Sequence, residues 1–287
     1  MSETELRRPA WLRKQVPMTA GVMERKASIA GSGLHTVCES AKCPNLSECF
    51  RSGTATFLIM GNHCTRNCGF CAVEHGAPTP LDADEGKRIA EQVKTMSIRY
   101  AVITSVTRDD LPDSGAGHFA RVVTDLRATL PDIGIELLVP DFQGRVEPVA
   151  AVAALPIQVF GHNLETVASL YPAVRQGASY ERSLEVLRMA RASCSGKIKS
   201  GIMVGLGETH EELTSLFGDL AAAGASILTI GQYLRPRWDN VPVKRYVLPE
   251  EFAELALIAQ REGISVVESG PYVRSSYHAE SVYHKKI

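Results

Sequence analysis

The stretch TATFLIMGNHCTRNCGFC, residues 54–71, joins a β-like apolar run to three cysteines, and its reading decides the fold. TATFLIM (54–60) is nearly continuous in apolar and β-branched residues, as a strand buried on both faces must be. The loop that starts with Cys64 begins four residues further on, at the C-terminal end of that strand. Five similar runs follow: YAVITSV (100–106), GIELLVP (134–140), PIQVF (156–160), KSGIMVGL (199–206) and SILTIGQYL (226–234). Amphipathic stretches at 85–97, 117–130, 146–154, 180–193, 210–223 and 249–262 alternate with them. Strand–helix alternation of this kind predicts a parallel α/β sheet with right-handed crossovers, either doubly wound or curled into a barrel. Six units are too few for a complete eight-stranded barrel, so the expected fold is a partial (β/α)6 TIM-like barrel.

Outward from that core, residues 1–53 show no βα period, and from about 266 the chain reads as a polar tail, ESGPYVRSSYHAESVYHKKI. One barrel over 54–265 with N- and C-terminal extensions (1–53 and 266–287) accounts for 287 residues better than two domains do. With 45% hydrophobic and 22% charged residues the composition is globular. A formal net charge of −1 gives no support to a nucleic-acid or membrane-surface protein that depends on bulk charge. No apolar run approaches the ~20 residues that span a bilayer. The opening MSETELRRPAWLRKQVP lacks the apolar segment of a signal peptide, so a cytoplasmic location is expected.

Six of the seven cysteines fall between Cys38 and Cys71. They form two triplets: Cys38, Cys43 and Cys49, spaced C-x4-C-x5-C, and Cys64, Cys68 and Cys71, spaced C-x3-C-x2-C. In a reducing compartment such clusters point to metal ligands or redox catalysts rather than disulfides. A closed zinc site wants four ligands, which two groups of three fit badly, although His35, His63 or His75 would each serve as a fourth. A four-iron cluster on three thiolates would keep one iron open, as a catalytic metal requires. The spacing favours iron–sulfur over zinc. Cys194, in a helix-like stretch, reads as a small buried hydrophobe.

Polar or Gly-rich groups follow each predicted strand, where ligands bind in parallel α/β folds. They are Thr107-Arg108-Asp109-Asp110, Asp141, His162-Asn163 with Glu165, Gly205-Leu206-Gly207-Glu208, and Gln232, Tyr233 and Arg235. Each alone reads as loop or capping chemistry; five sets around one cysteine loop outline a site.

At CTRNCGFC (64–71), with Phe70 before the last cysteine, the sequence resembles the radical S-adenosylmethionine superfamily. Together with HTVCESAKCPNLSECF (35–50) and VRSSYHA (273–279) it resembles one family within it, lipoyl synthase. The likeness runs from Gly33 to Ala279, through SVTRDDLPDSGA, HNLETV, VRQGASYERSLEVL, KSGIMVGLGET and TIGQYLRP. Gly161 and the stretch Arg237-Trp238-Asp239-Asn240 depart from the family pattern.

The resemblance implies a radical SAM barrel that inserts two sulfur atoms at carbons six and eight of an octanoyl chain. That chain is amide-linked to a lysine of a lipoyl carrier domain or of the glycine-cleavage H protein. Two 4Fe-4S clusters and S-adenosylmethionine are the implied cofactors. Cys64, Cys68 and Cys71 would hold the cluster that reductively cleaves S-adenosylmethionine to a 5′-deoxyadenosyl radical. Cys38, Cys43 and Cys49 would hold an auxiliary cluster sacrificed as sulfur donor, with one serine of the Arg-Ser-Ser-Tyr motif, placed at Ser276 with Ser275 as the alternative, as its fourth, labile ligand. Phe70, Ser105, Asn163, Glu165 and Arg182 resemble cofactor-contacting positions, Arg182 suiting a carboxylate, and Gly201–Gly207 allows close backbone approach. A low-potential donor such as ferredoxin or flavodoxin and an iron–sulfur carrier for cluster rebuilding are implied partners. The basic tail His284-Lys285-Lys286 is a candidate steering element for an acidic carrier. Two other readings fit the sequence: another radical S-adenosylmethionine enzyme with an auxiliary cluster that inserts sulfur elsewhere, and a zinc-stabilised binding module.

Overall fold

Alternation of fully buried strands with one-sided helices builds the molecule, and the computed structural model describes residues 6–13, 19–41, 43–51 and 54–285. Seven strands pair in parallel and in chain order: β1 (Ala55–Ile59), β2 (Tyr100–Ser105), β3 (Gly134–Leu138), β4 (Val159–Gly161), β5 (Lys197–Val204), β6 (Ile227–Gln232) and β7 (Val266–Gly270). Helices α1 (Glu85–Thr95), α2 (Ala116–Thr129), α3 (Val146–Ala153), α4 (Tyr180–Ser193), α5 (His210–Ala222) and α6 (Pro249–Arg261) form the crossovers. The two-residue strand His35–Thr36 adds antiparallel to β1, opposite Leu58 and Phe57. It forms one edge of the sheet and β7 the other, so the barrel is partial.

The sheet runs one strand beyond the six read from the sequence. Val266 to Gly270, expected as the start of a polar tail, pair with Ile227 to Gly231 of β6. A short helix, Ala279–His284, follows. Its Ala279 and Val282, with Tyr283, pack on Tyr100, Val102, Val159, Ile227 and Val266 and close the N-terminal end of the barrel. Just inside that floor Lys199 and Glu136, both nearly inaccessible, pair at 2.7 Å, and the Tyr100 hydroxyl donates to Glu136 at 3.3 Å. Lys285, one of the basic tail residues, pairs with Glu268 at 2.6 Å; Lys286 lies outside the described residues.

Helix α5 shows how local sequence sets these elements. Thr209 caps its start in a reciprocal box with Glu212, with N–H···O distances of 3.2 and 2.8 Å. Leu213, Leu216, Phe217 and Leu220, at helical spacing, are its buried face. Burial of each contributes about 1.5–3 kcal/mol, so Leu216→Ala alone costs about 2–5 kcal/mol. Gly224, at φ +88°, ends the turn in a conformation that disfavours other residues. Cys194 is buried in the same apolar core, as its surroundings in the sequence suggested.

Candidate active site: two cysteine triplets on one cavity

Beyond β1 the backbone turns sharply through Met60 (φ 67°) and Gly61 (φ 88°) into the Cys64–Cys71 loop. The first half of the loop is zipped to the segment after β2: Thr65 N donates to Thr107 O at 3.0 Å, and Asp109 N donates to Thr65 Oγ1 at 3.1 Å. Arg66, between the first two cysteines, makes four charge-assisted bonds of 2.6–3.0 Å, two to Asp109 and two to Asp141. The second half is held from the β6–α6 connection. Asn240 Nδ2 donates to the carbonyls of Gly69 (3.1 Å) and Cys71 (3.0 Å), Val241 N donates to Gly69 O (2.9 Å), and Arg237 donates to Ala72 O. Gly69 is required here, since a Cβ would lie 2.7 Å from Ala173 O.

The loop forms one wall of a cavity of about 590 Å³ inside the C-terminal end of the barrel. Cys64, Cys68 and Cys71 line it together with Phe70, Ser105, Asn163 and Glu165. Asn163 Nδ2 donates to Glu165 Oε1 at 3.0 Å. Glu165 sits at φ 69°, a strained value for a non-glycine residue. Its backbone is fixed there by bonds to Gly201 O (3.0 Å) and from Met203 N (2.8 Å). Burial in this wall raises the Glu165 carboxyl, against the pull of Arg175. A Cβ at Gly201 would meet Thr229 Oγ1 at 2.6 Å and Asn163 Oδ1 at 2.9 Å, so glycine there is what lets Asn163 and Thr229 share the wall.

Two sequence expectations are corrected. Arg182 does not line the cavity; it sits in the first turn of α4 and pairs with Asp141 at 3.3 Å. The guanidinium at the cavity is that of Arg175, whose Nη1 donates to Asn163 O (2.7 Å), Ser183 Oγ (2.9 Å) and Tyr171 Oη (3.1 Å). The second correction concerns the glycines after β5. The amides of Gly205, Leu206 and Gly207 all donate to the Glu208 carboxylate at 2.6–3.1 Å, so this nest is filled from within the chain; of the stretch, Gly201, Ile202 and Met203 line the cavity.

The first triplet meets the C-terminal segment on the β1 side of the same cavity. Val37, Ala41 and Pro44, from around Cys38 and Cys43, line it, as do Val273, Arg274 and Ser275. Asn45 donates to Tyr272 O at 2.6 Å and the Tyr277 hydroxyl to Glu48 at 2.9 Å, which docks the two segments. Thr56 Oγ1 donates to Ser276 Oγ at 2.8 Å. The backbone N–H and hydroxyl of the same threonine lie close to the Cys38 thiol and oppose its upward shift. Ser276 is thus joined to Thr56, a neighbour of Cys38, whereas Ser275 faces the cavity.

The donor sets suit clusters. Burial pushes the Cys38 and Cys68 thiols up to about 12 and Cys71 up to about 11, with neighbouring thiols adding to the shift. Crowded, buried thiols of this kind ionise only against a cationic centre. Backbone N–H groups of Arg66 and Thr107 point at Cys64 Sγ (3.4 and 3.3 Å) and that of Val73 at Cys71 Sγ (3.4 Å), as sulfur ligands of iron clusters require. Among the described residues no three His, Cys, Asp or Glu side chains close on a single ion, and no histidine lines the cavity. The Ser105 hydroxyl is buried without a partner, an opening for a polar cosubstrate.

Comparison with known proteins agrees. The profile of the radical SAM superfamily matches residues 58–220. Solved structures with the same fold include a maturase of the [FeFe]-hydrogenase, HydG (TM-score 0.60, 15% identity, 92% of this chain and 67% of that one). Methylornithine synthase, PylB, is another (TM-score 0.58, 13% identity, 86% and 77%). Fold and cysteine loop define the class: a radical S-adenosylmethionine enzyme. Curated relatives are closer: lipoyl synthase of Rubrobacter xylanophilus is 52% identical over 273 residues, covering 95% of this chain and 85% of that one. That of Glaesserella parasuis is 51% identical over 278 residues (96% and 87%), and that of Nitratidesulfovibrio vulgaris 49% over 282 (98% and 94%). The chain belongs to the lipoyl synthase family, radical enzymes that insert sulfur using S-adenosylmethionine and 4Fe-4S clusters. No helix among the described residues is long and apolar enough to cross a membrane.

Proposed function

We propose that this enzyme inserts two sulfur atoms at carbons six and eight of an octanoyl chain borne on a lysine of a lipoyl domain or glycine-cleavage H protein. Cys64, Cys68 and Cys71 would hold one 4Fe-4S cluster, leaving an iron for S-adenosylmethionine, and Cys38, Cys43, Cys49 and Ser276 would hold the other, which gives up its sulfur. When bound, these groups supply an electron, a hydrogen-abstracting radical and the sulfur. The protein's part is placement. Thr65, Arg66 and Asn240 fix the cysteine loop at the strand ends. Ser105, Asn163 and Glu165, with Arg175 behind them, offer polar contacts to the cosubstrate's amino-acid and ribose groups. Leu58, Val106, Leu138 and Ile202 give the cavity an apolar side that suits an aliphatic chain and excludes water from a reactive intermediate.

The observation that carries this reading is that Cys64, Cys68 and Cys71 line one cavity with Val37, Ala41 and Pro44, which flank Cys38 and Cys43, and that Thr56, a neighbour of Cys38, hydrogen-bonds Ser276. A ferredoxin or flavodoxin is the proposed electron donor, and an iron–sulfur carrier the proposed source for rebuilding the spent cluster. The test is mass spectrometry of an octanoyl-lysine peptide incubated anaerobically with reconstituted enzyme, S-adenosylmethionine and reductant. Gain of two sulfurs supports the reading; 5′-deoxyadenosine without sulfur gain overturns it.

A further inference from the structure

Two cations close to the cysteine loop are fully engaged. Arg66 makes four bonds to two carboxylates, and Arg175 makes three through Nη1 alone. Arg274 differs. Half-buried in the cavity wall, it makes one hydrogen bond, from Nη1 to the carbonyl of Val273 at 2.6 Å. The ionisable groups that face it are the Cys43 thiol and the Tyr272 phenol, and no carboxylate among the described residues pairs with it. Its place is built into the fold: Gly231 of β6 has no room for a Cβ, which would lie 2.2 Å from Val273 O and 3.2 Å from Arg274 Nη1. A guanidinium drawn from bulk water with most of its donors unused is costly unless an anion completes it.

From this geometry we infer that Arg274 is the counter-charge of the iron–sulfur cluster held by the first triplet, and that it sets how readily that cluster accepts an electron. The inference rests on the two-cluster reading above. A cluster on three thiolates and a serine alkoxide is a net anion, and one more electron makes it more so. A fixed cation at Cys43 favours the reduced form, because Coulomb attraction grows with cluster charge in a poorly solvated wall. Arg274 is thus a positioning and charge-compensating residue, one that need not touch the substrate.

The test is an electrochemical titration, followed by electron paramagnetic resonance, of reconstituted full-length protein. Cys64, Cys68 and Cys71 are replaced by Ala so that only the first-triplet cluster responds. Arg274→Gln is expected to shift the one-electron reduction equilibrium at least tenfold toward the oxidised form, about 59 mV more negative. Arg274→Lys is expected to retain most of the wild-type value. Loss of first-triplet iron in R274Q but not in R274K equally supports a charge role. An unchanged potential in R274Q with full iron content overturns the inference, as does loss of iron in both variants, which would make the requirement one of shape. Absence of iron at the first triplet when Arg274 is intact would instead overturn the two-cluster reading itself.

Discussion

Thr56, on the first barrel strand, donates a hydrogen bond to Ser276, 220 residues further along the chain, at 2.8 Å. The same threonine lies beside the Cys38 thiol. One side chain thus ties the sheet, the first cysteine triplet and the C-terminal segment, and it explains how a serine near the end of the chain becomes available to cysteines near its start.

If Ser276 is the weak ligand of the first-triplet cluster, strengthening it impairs sulfur release. Oxygen is a poorer match for iron than thiolate on ligand-softness grounds. Ser276→Cys is expected to retain about eight irons per chain yet lose two-sulfur turnover. Iron analysis with product mass spectrometry checks this, and full turnover with an intact cluster would contradict it.

Arg66 holds the cysteine loop against two strand ends, and its removal strands a buried carboxylate. Asp141 is completely inaccessible, and burial alone would raise its carboxyl; hydrogen bonds and charge from Arg66 outweigh that and hold it well below the usual range. Arg66→Met is expected to cost about 3–5 kcal/mol in a denaturant titration. Arg66→Lys should recover less than half, because a point charge does not reproduce the two forked pairs. A cost of under about 1 kcal/mol, the value of an exposed ion pair, would show that the clamp is incidental.

Asn240 caps two carbonyls of the cysteine loop with one amide. Asn240→Ala leaves both without that donor, a loss of about 1–3 kcal/mol. The damage should be local: faster loss of iron from the Cys64–Cys71 cluster under chelator, followed by visible absorbance, with little change at the first triplet. Equal rates in variant and parent would refute the assignment.

His162 makes stability depend on pH. Burial, with Arg175 nearby, lowers its folded value to about 3, while its Nδ1 donates to Val139 O at 2.9 Å. The unfolded chain, near 6.5, takes up the proton first. The contribution of neutral His162 is therefore complete above about pH 6.5 and is lost as pH falls from there toward 3. Between pH 7 and pH 5 this removes about 2 kcal/mol. His162→Gln should flatten the decline in denaturant titrations at the two pH values; an unchanged slope would remove His162 as its source.

The barrel was legible wherever burial imposed a period. Helix α4 was expected at 180–193 and is Tyr180–Ser193, because its apolar positions repeat at helical spacing. Strand β7 was not legible: at the sheet edge, past Val266, its residues are only partly buried, and Glu268 and Ser269 read as tail. The N-terminal helix Ala20–Gly31 buries only Val22 and Ile29, too few to show a stripe. In the site, Cys64, Cys68, Cys71, Phe70, Ser105, Asn163 and Glu165, each of which follows a strand end or lies in the cysteine motif, line the cavity, and their roles belong to the proposed function. Arg182 was named and Arg175 was not, although both belong to the same VRQGASYERSLEVL run, since a sequence does not show which side of the Ser179 cap faces inward. Asn240 lay in the stretch that departs from the family pattern, and only its contacts reveal its purpose. Arg66 had a visible signal, a cation inside the cysteine motif with Asp109 and Asp141 at neighbouring strand ends.

The central claim is a division of labour between the triplets, and comparing Cys38→Ala with Cys68→Ala tests it most directly. Both variants are incubated anaerobically with octanoyl-lysine peptide, S-adenosylmethionine and reductant, and 5′-deoxyadenosine and product sulfur are measured together. Cys38→Ala should still form 5′-deoxyadenosine but transfer no sulfur, and Cys68→Ala should form neither. Two-sulfur product from Cys38→Ala, or 5′-deoxyadenosine at the parent rate from Cys68→Ala, would contradict the account.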